Sequence, residues 1–134
     1  MHAEHEQIVR DAEWMRRMAG RLPSMQLDER RTVIDETLER LRRIGIHAAD
    51  EESAFYPVLA RLLGTPRIGE AMTADHRYVH ARMQYLAETD QASTAALQAI
   101  LYGLHAVITT HIAKEDEILA PLVERLRVRG PGKE

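Results

Sequence analysis

An eleven-residue block occurs twice in this chain, 64 positions apart, and it limits the possible folds more than any other feature. The first copy runs from His47 through Glu51 and Glu52 to Pro57. The second runs from His111 through Glu115 and Asp116 to Pro121, and the match continues into Arg61-Leu62 and Arg125-Leu126. Each copy sets a histidine and a glutamate four residues apart. On an α-helix that is about one turn, so both side chains leave the same face and can reach one ion.

The surrounding pattern is helical. Residues 3–22 carry His5, Ile8, Ala12, Met15, Ala19 and Leu22 at alternating steps of three and four, the seam of a packed helix. Leu22-Pro23-Ser24 closes it. Asp28 is expected to cap a second helix reaching Leu63, with a seam of Ile34, Leu38, Leu41, Ile44, His47, Glu51, Phe55, Val58 and Leu62. Pro57 should bend that helix without ending it, because the pattern continues beyond it. Gly64-Thr65-Pro66 reads as a stop, a cap and a start. A third helix to Glu88 presents Ile68, Met72, His76, His80, Met83 and Ala87. Asp90 or Ser93 caps the fourth, whose seam is Leu97, Leu101, Leu104, Ile108, His111, Glu115, Ile118 and Leu122. No strand-like alternation appears. Four helices with short links predict an all-α, up-down-up-down four-helix bundle over residues 1–128, with a frayed tail at 129–134.

Seven ionisable residues stand where this pattern calls for an apolar one: His5, His47, Glu51, His76, His80, His111 and Glu115. Burying one uncompensated polar group costs ~2–7 kcal/mol, and a charge more. Seven would exhaust the ~5–15 kcal/mol net stability of a small domain. A compensating partner is therefore expected at one level of the bundle. Imidazoles with carboxylates suit a first-row metal, and five histidines with two carboxylates suit a bridged pair of ions better than one. Periodicity favours Glu115 as the fourth-helix ligand. Asp116, about a quarter turn away, is the alternative carboxylate ligand there or else a support behind one. Heights counted along the helices agree for His5 with His47 and for Glu51 with His76. They agree less well for His80 with His111.

These marks resemble the hemerythrin-like (HHE cation-binding) family over essentially the whole chain: an early His5, His47-x-x-x-Glu51, His76-x-x-x-His80, and His111-x-x-x-Glu115 followed by proline. The resemblance implies a four-helix bundle around a non-heme di-iron centre. His5, His47, His76, His80 and His111 would be terminal ligands, and Glu51 and Glu115 the bridges. It implies binding of dioxygen or another small diatomic or peroxide ligand, as carrier, store or sensor. Nitrogen and oxygen ligands also accept Zn or Mn.

Other assignments rest on position. His2 is expected in solvent and His105 at the rim. Met15, Met72 and Met83 are read as core residues near the site level, and Tyr56, Tyr78, Tyr85 and Tyr102 as boundary residues, one of them placed to hydrogen-bond a bound ligand. A di-iron oxidase or ferroxidase of the ferritin-like kind is the competing enzyme reading, but its Glu-x-x-His motif is absent from the chain. A metal-free interaction helix bundle is a third reading. Composition excludes other classes. There is no cysteine, hence no disulfide framework, thiolate zinc site or iron–sulfur cluster. The net charge is −3 with bases and acids interspersed, which offers no nucleic-acid stripe or polybasic membrane patch. No uninterrupted apolar run has the length of a membrane span, no secretory leader is read at the start, and a cytoplasmic setting is expected.

Overall fold

In the computed structural model, residues 2–88 and 93–129 are described. The helices are α1 (His2–Arg21), α2 (Leu27–Asp50), α3 (Tyr56–Leu63), α4 (Arg67–Glu88), α5 (Thr94–Lys114) and α6 (Ala120–Arg129). A π-helical turn, Glu51–Phe55, joins α2 to α3 without a break, and a second, Glu115–Leu119, joins α5 to α6. Four long helical rods result, with α1 packed along α5 and α2 along α4, and no strand among the described residues. This is the four-helix bundle the seams predict.

The ends obey local chemistry. Gln26, not Asp28, caps α2: its side chain and that of Glu29 form a reciprocal capping box. Gly64 ends α3 in the left-handed region at φ 72°, where a side chain would be strained. Thr65 Oγ1 accepts from the Arg67 amide at 3.3 Å, and Ser93 Oγ accepts from the Ala96 amide at 3.0 Å. Asp90, the alternative cap, and residues 130–134 of the expected tail lie outside the described residues.

Every expected seam position of α1 is buried, from His5 to Leu22. So are Leu38, Leu41, Ile44, His47 and Glu51 along α2 and into the turn after it, and the seam from Leu97 to Glu115 along α5 and into its own turn, while Ile34 is half-buried. Past each glutamate the seam slips by one residue. Tyr56 and Leu59 are buried in place of Phe55 and Val58, and Leu119 and Val123 in place of Ile118 and Leu122. The π-turns cause this, since each adds a residue to one turn and so rotates the remainder of the helix. Pro57 and Pro121 explain why they form there. Proline has no amide hydrogen to give to the carbonyl four residues back, and its ring crowds that carbonyl.

The core therefore has two apolar blocks. Ile8, Met15, Leu41, Ile44, Leu104 and Ile108 belong to the larger. Tyr56, Leu59, Met72, Leu119 and Val123 form the smaller. Along α2–α3 and α5–α6 the polar seam residues fall between the two. Buried Asp11 fastens α1 to α2, accepting from Arg40 Nη1 at 2.6 Å and from Gln7 Nε2 at 3.1 Å. The Arg40 guanidinium also lies 4.1 Å above the Trp14 ring. That clamp holds the helix carrying His5. The run 94–129 is long and apolar enough by length and composition to cross a bilayer; here its apolar side supplies the bundle core.

Candidate metal centre

Six of the seven predicted residues converge between the two apolar blocks. His5, His47, Glu51 and Glu115 form one group of ligand atoms, and Glu51, His76 and His111 a second. Five of the six are buried and His76 is half-buried. The imidazoles are paired. The Nε2 atoms of His5 and His47 are 3.1 Å apart, as are those of His76 and His111.

The two glutamates lie between the pairs, each with one oxygen toward each side. Glu51 Oε2 is 3.0 Å from His47 Nε2 and 3.6 Å from His5 Nε2, while its Oε1 is 3.1 Å from His76 Nε2 and 3.6 Å from His111 Nε2. Glu115 Oε1 is 3.4 Å from His5 Nε2, and Oε2 is 3.4 Å from His111 Nε2. Both carboxylates thus span the two imidazole pairs.

The outer nitrogen of each ring meets a carboxylate. Nδ1 of His5 donates to Asp116 at 2.7 Å, that of His47 to Glu4 at 3.1 Å, that of His76 to Glu52 at 2.9 Å and that of His111 to Asp75 at 2.9 Å. A carboxylate only accepts, so Nδ1 carries the hydrogen and the inward Nε2 of each neutral ring is a lone pair. Lone pairs aimed at one another across 3.1 Å need a proton or a cation between them. Glu115 Oε1 is moreover buried with no hydrogen-bond partner. This donor set fits cations: four imidazole nitrogens, four carboxylate oxygens and a supporting acid behind every ring.

The protonation balance reflects the same crowding. Burial opposes the charge on Glu51, but hydrogen bonds from His111, His47, His5 and His76 outweigh it and hold the carboxyl far below the usual range. Burial and the adjacent Glu51 push Glu115 up, against the pull of His111. The Glu51 hydrogen bond raises His47 to about 9. For His111 burial works against the charged ring, yet bonds to Glu115, Glu51 and Asp75 raise it to about 10.

His80 stands apart from this convergence. It is exposed and joins neither group of ligand atoms. The inward seam of α4 runs Met72, His76, Val79, Met83 and Leu86, in steps of four and three. His80 is one residue off it, turned by about a quarter turn. The expectation that placed His80, Ile68 and Ala87 on that seam is corrected, as all three are exposed. The poor height match between His80 and His111 has the same origin, since His76 is the residue that meets His111. His105 is half-buried, away from the cluster, with Nε2 3.1 Å from Glu13 Oε1. The side chain of His2 lies outside the described residues.

One residue of the site was not singled out by sequence reasoning. The Tyr56 hydroxyl donates to Glu115 Oε2 at 2.9 Å, and it lies 3.2 Å from Glu51 Oε1 and 3.3 Å from both His76 Nε2 and His111 Nε2. Burial and the two carboxylates push its phenol far above the ordinary range. Tyr78, Tyr85 and Tyr102 are exposed at the surface. On the other side of the cluster, toward the larger apolar block, lies a chamber of about 60 Å³. Ile8, Leu41, Ile44, Met83 and Ile108 wall it, and His47, Glu51, His76 and His111 close one end. Its exposed lining residues, Gly45 and His80, mark the mouth.

This bundle and donor set define a helical metal-cation-binding protein. The family model of the hemerythrin HHE cation binding domain matches residues 1–123, and the chain belongs to that family. No curated protein and no solved structure matches the chain.

Proposed function

We propose that the cluster holds two iron ions and that the protein binds dioxygen, or a related small diatomic or peroxide ligand, as a carrier, store or sensor. One ion would take His5, His47, Glu51 Oε2 and Glu115 Oε1. The other would take His76, His111, Glu51 Oε1 and Glu115 Oε2. The observation that carries this reading is the way each carboxylate divides its oxygens between two imidazole pairs. A single cation would use one pair and leave the other facing itself.

The chamber supports the ligand class. Its volume is several times the ~10–15 Å³ that a water-sized molecule requires, and its walls are aliphatic. Small uncharged molecules suit such a space, and hydrated ions do not. Bound iron would supply electrons to the ligand. The chain supplies the imidazoles that keep the ions in place, the acids that fix their tautomer, and the apolar walls that limit water.

The test is metal content per chain, measured on protein purified from iron-replete cells, with absorption spectra in air and after reduction. Two irons per chain and a visible band that changes on reduction are expected. Colourless protein carrying stoichiometric zinc, or protein without bound metal, would count against the reading.

A further inference from the structure

We propose that the Tyr56 hydroxyl oxygen is itself a ligand of the ion held by His76 and His111. The inference rests on the metal reading above and adds a residue that the histidine–glutamate pattern does not contain.

The geometry carries it. Around one first-row ion with bonds of about 2.1 Å, ligand atoms at right angles lie about 3.0 Å apart. The Tyr56 oxygen is 2.9 Å from Glu115 Oε2, 3.2 Å from Glu51 Oε1, and 3.3 Å from both His76 Nε2 and His111 Nε2. Those are the four donor atoms of one ion. An oxygen that neighbours all four at this spacing stands where a fifth ligand of that ion would stand. One hydrogen bond to a bridging carboxylate accounts for one of these distances, whereas a shared ion accounts for all four.

The chain fixes the phenol in that position. Its ring packs in the smaller apolar block with Leu59 and Met72, and is stacked on the His76 ring at 5.7 Å. Gly69 on α4 lets the helix come close, since a Cβ there would be 3.1 Å from Tyr56 Cβ. The π-turn matters as well. It moves the inward position from residue 55 to residue 56, which points the tyrosine at the site.

The second copy of the repeat lacks this group. Ala120 stands where Tyr56 stands in the first, and it is exposed. The two ions are therefore inequivalent: one has five protein ligand atoms, and the His5–His47 ion has four. On ligation the phenol O–H bond breaks, an O–metal bond forms, and one proton leaves to solvent.

The test uses the full chain loaded with iron(III), with iron content and resonance Raman spectra taken on the same sample. Two irons per chain with tyrosine ring modes enhanced by visible excitation are expected. Tyr56→Phe keeps the ring and its packing, so it should keep two irons and lose the ring modes and the associated band. Wild-type protein with two irons and no enhanced tyrosine modes overturns this inference and leaves the di-iron reading standing. So does a Tyr56→Phe variant that retains the modes. A chain that takes up no iron overturns both.

Discussion

Glu51 is the residue whose loss should reach both halves of the site, because its two oxygens face different imidazole pairs. Replacing it with glutamine keeps the shape and one carbonyl oxygen. The other oxygen becomes an NH₂ group that points hydrogens at a cation position, so one half loses a donor and both lose the negative charge. Linkage sets the magnitude. An ion present at 100 times its dissociation constant stabilises the fold by about 2.7 kcal/mol, so two ions contribute about 5.4 kcal/mol. At about 2.1 cal/mol/K per residue, a chain of 134 residues has an unfolding entropy near 0.28 kcal/mol/K. Removing both ions should then lower Tm by about 19 °C in the wild type. In Glu51→Gln, at most one ion should remain, and the chelator-dependent shift should fall to about 10 °C or less. Calorimetry with and without chelator, alongside elemental analysis, reads both quantities. A variant with two ions and the full wild-type shift would refute the bridging role.

Four further outcomes are expected. Asp116→Asn removes the acid behind His5 and should weaken the ion on the His5–His47 side about 10–100-fold while leaving the other in place, which stepwise metal titration can resolve. His80→Ala should keep two ions per chain, because His80 joins neither ligand group; loss of an ion on elemental analysis would show that this imidazole swings inward. In metal-free protein His47 and His111 titrate at about 9 and about 10, above their ordinary 6.5. Their charged forms stabilise the fold fully below pH 6.5 and lose that contribution as pH rises through about 9 and 10, so Tm in chelator should drop across that window while metal affinity rises; a flat Tm would contradict the assignment. Asp11→Ala should cost about 1–3 kcal/mol in denaturant unfolding, since Arg40 loses its buried acceptor but stays partly solvated.

The bundle was legible because helical seams are a strong signal. His5 to Leu22 and Leu97 to Glu115 keep a three-four rhythm long enough to fix which face is inside. The central histidines and glutamates of the cluster were legible for the same reason, and also because the His-x-x-x-Glu unit occurs twice. What failed was local. The slip from Phe55 to Tyr56 and from Ile118 to Leu119 comes from π-turns, which a uniform 3.6-residue period cannot represent. The paired prolines, six residues after each glutamate, were the available clue. Tyr56 was hidden by that slip, as it read as a boundary residue one step off the seam. His80 failed differently. Steps of four-four and four-three both carry a helix inward, and only packing against the neighbouring helices selects Val79 over His80. Asp11 was not singled out because one buried acid paired with arginines leaves no periodic trace.

In the proposed centre, cations lie between the two imidazole pairs. Anomalous diffraction at the iron edge, from crystals of iron-loaded protein, addresses that directly. Two peaks about 3.5–4 Å apart, flanking Glu51 and Glu115, are predicted. A map with no peak within the ring of His5, His47, His76 and His111, while iron appears only at surface carboxylates, would contradict it.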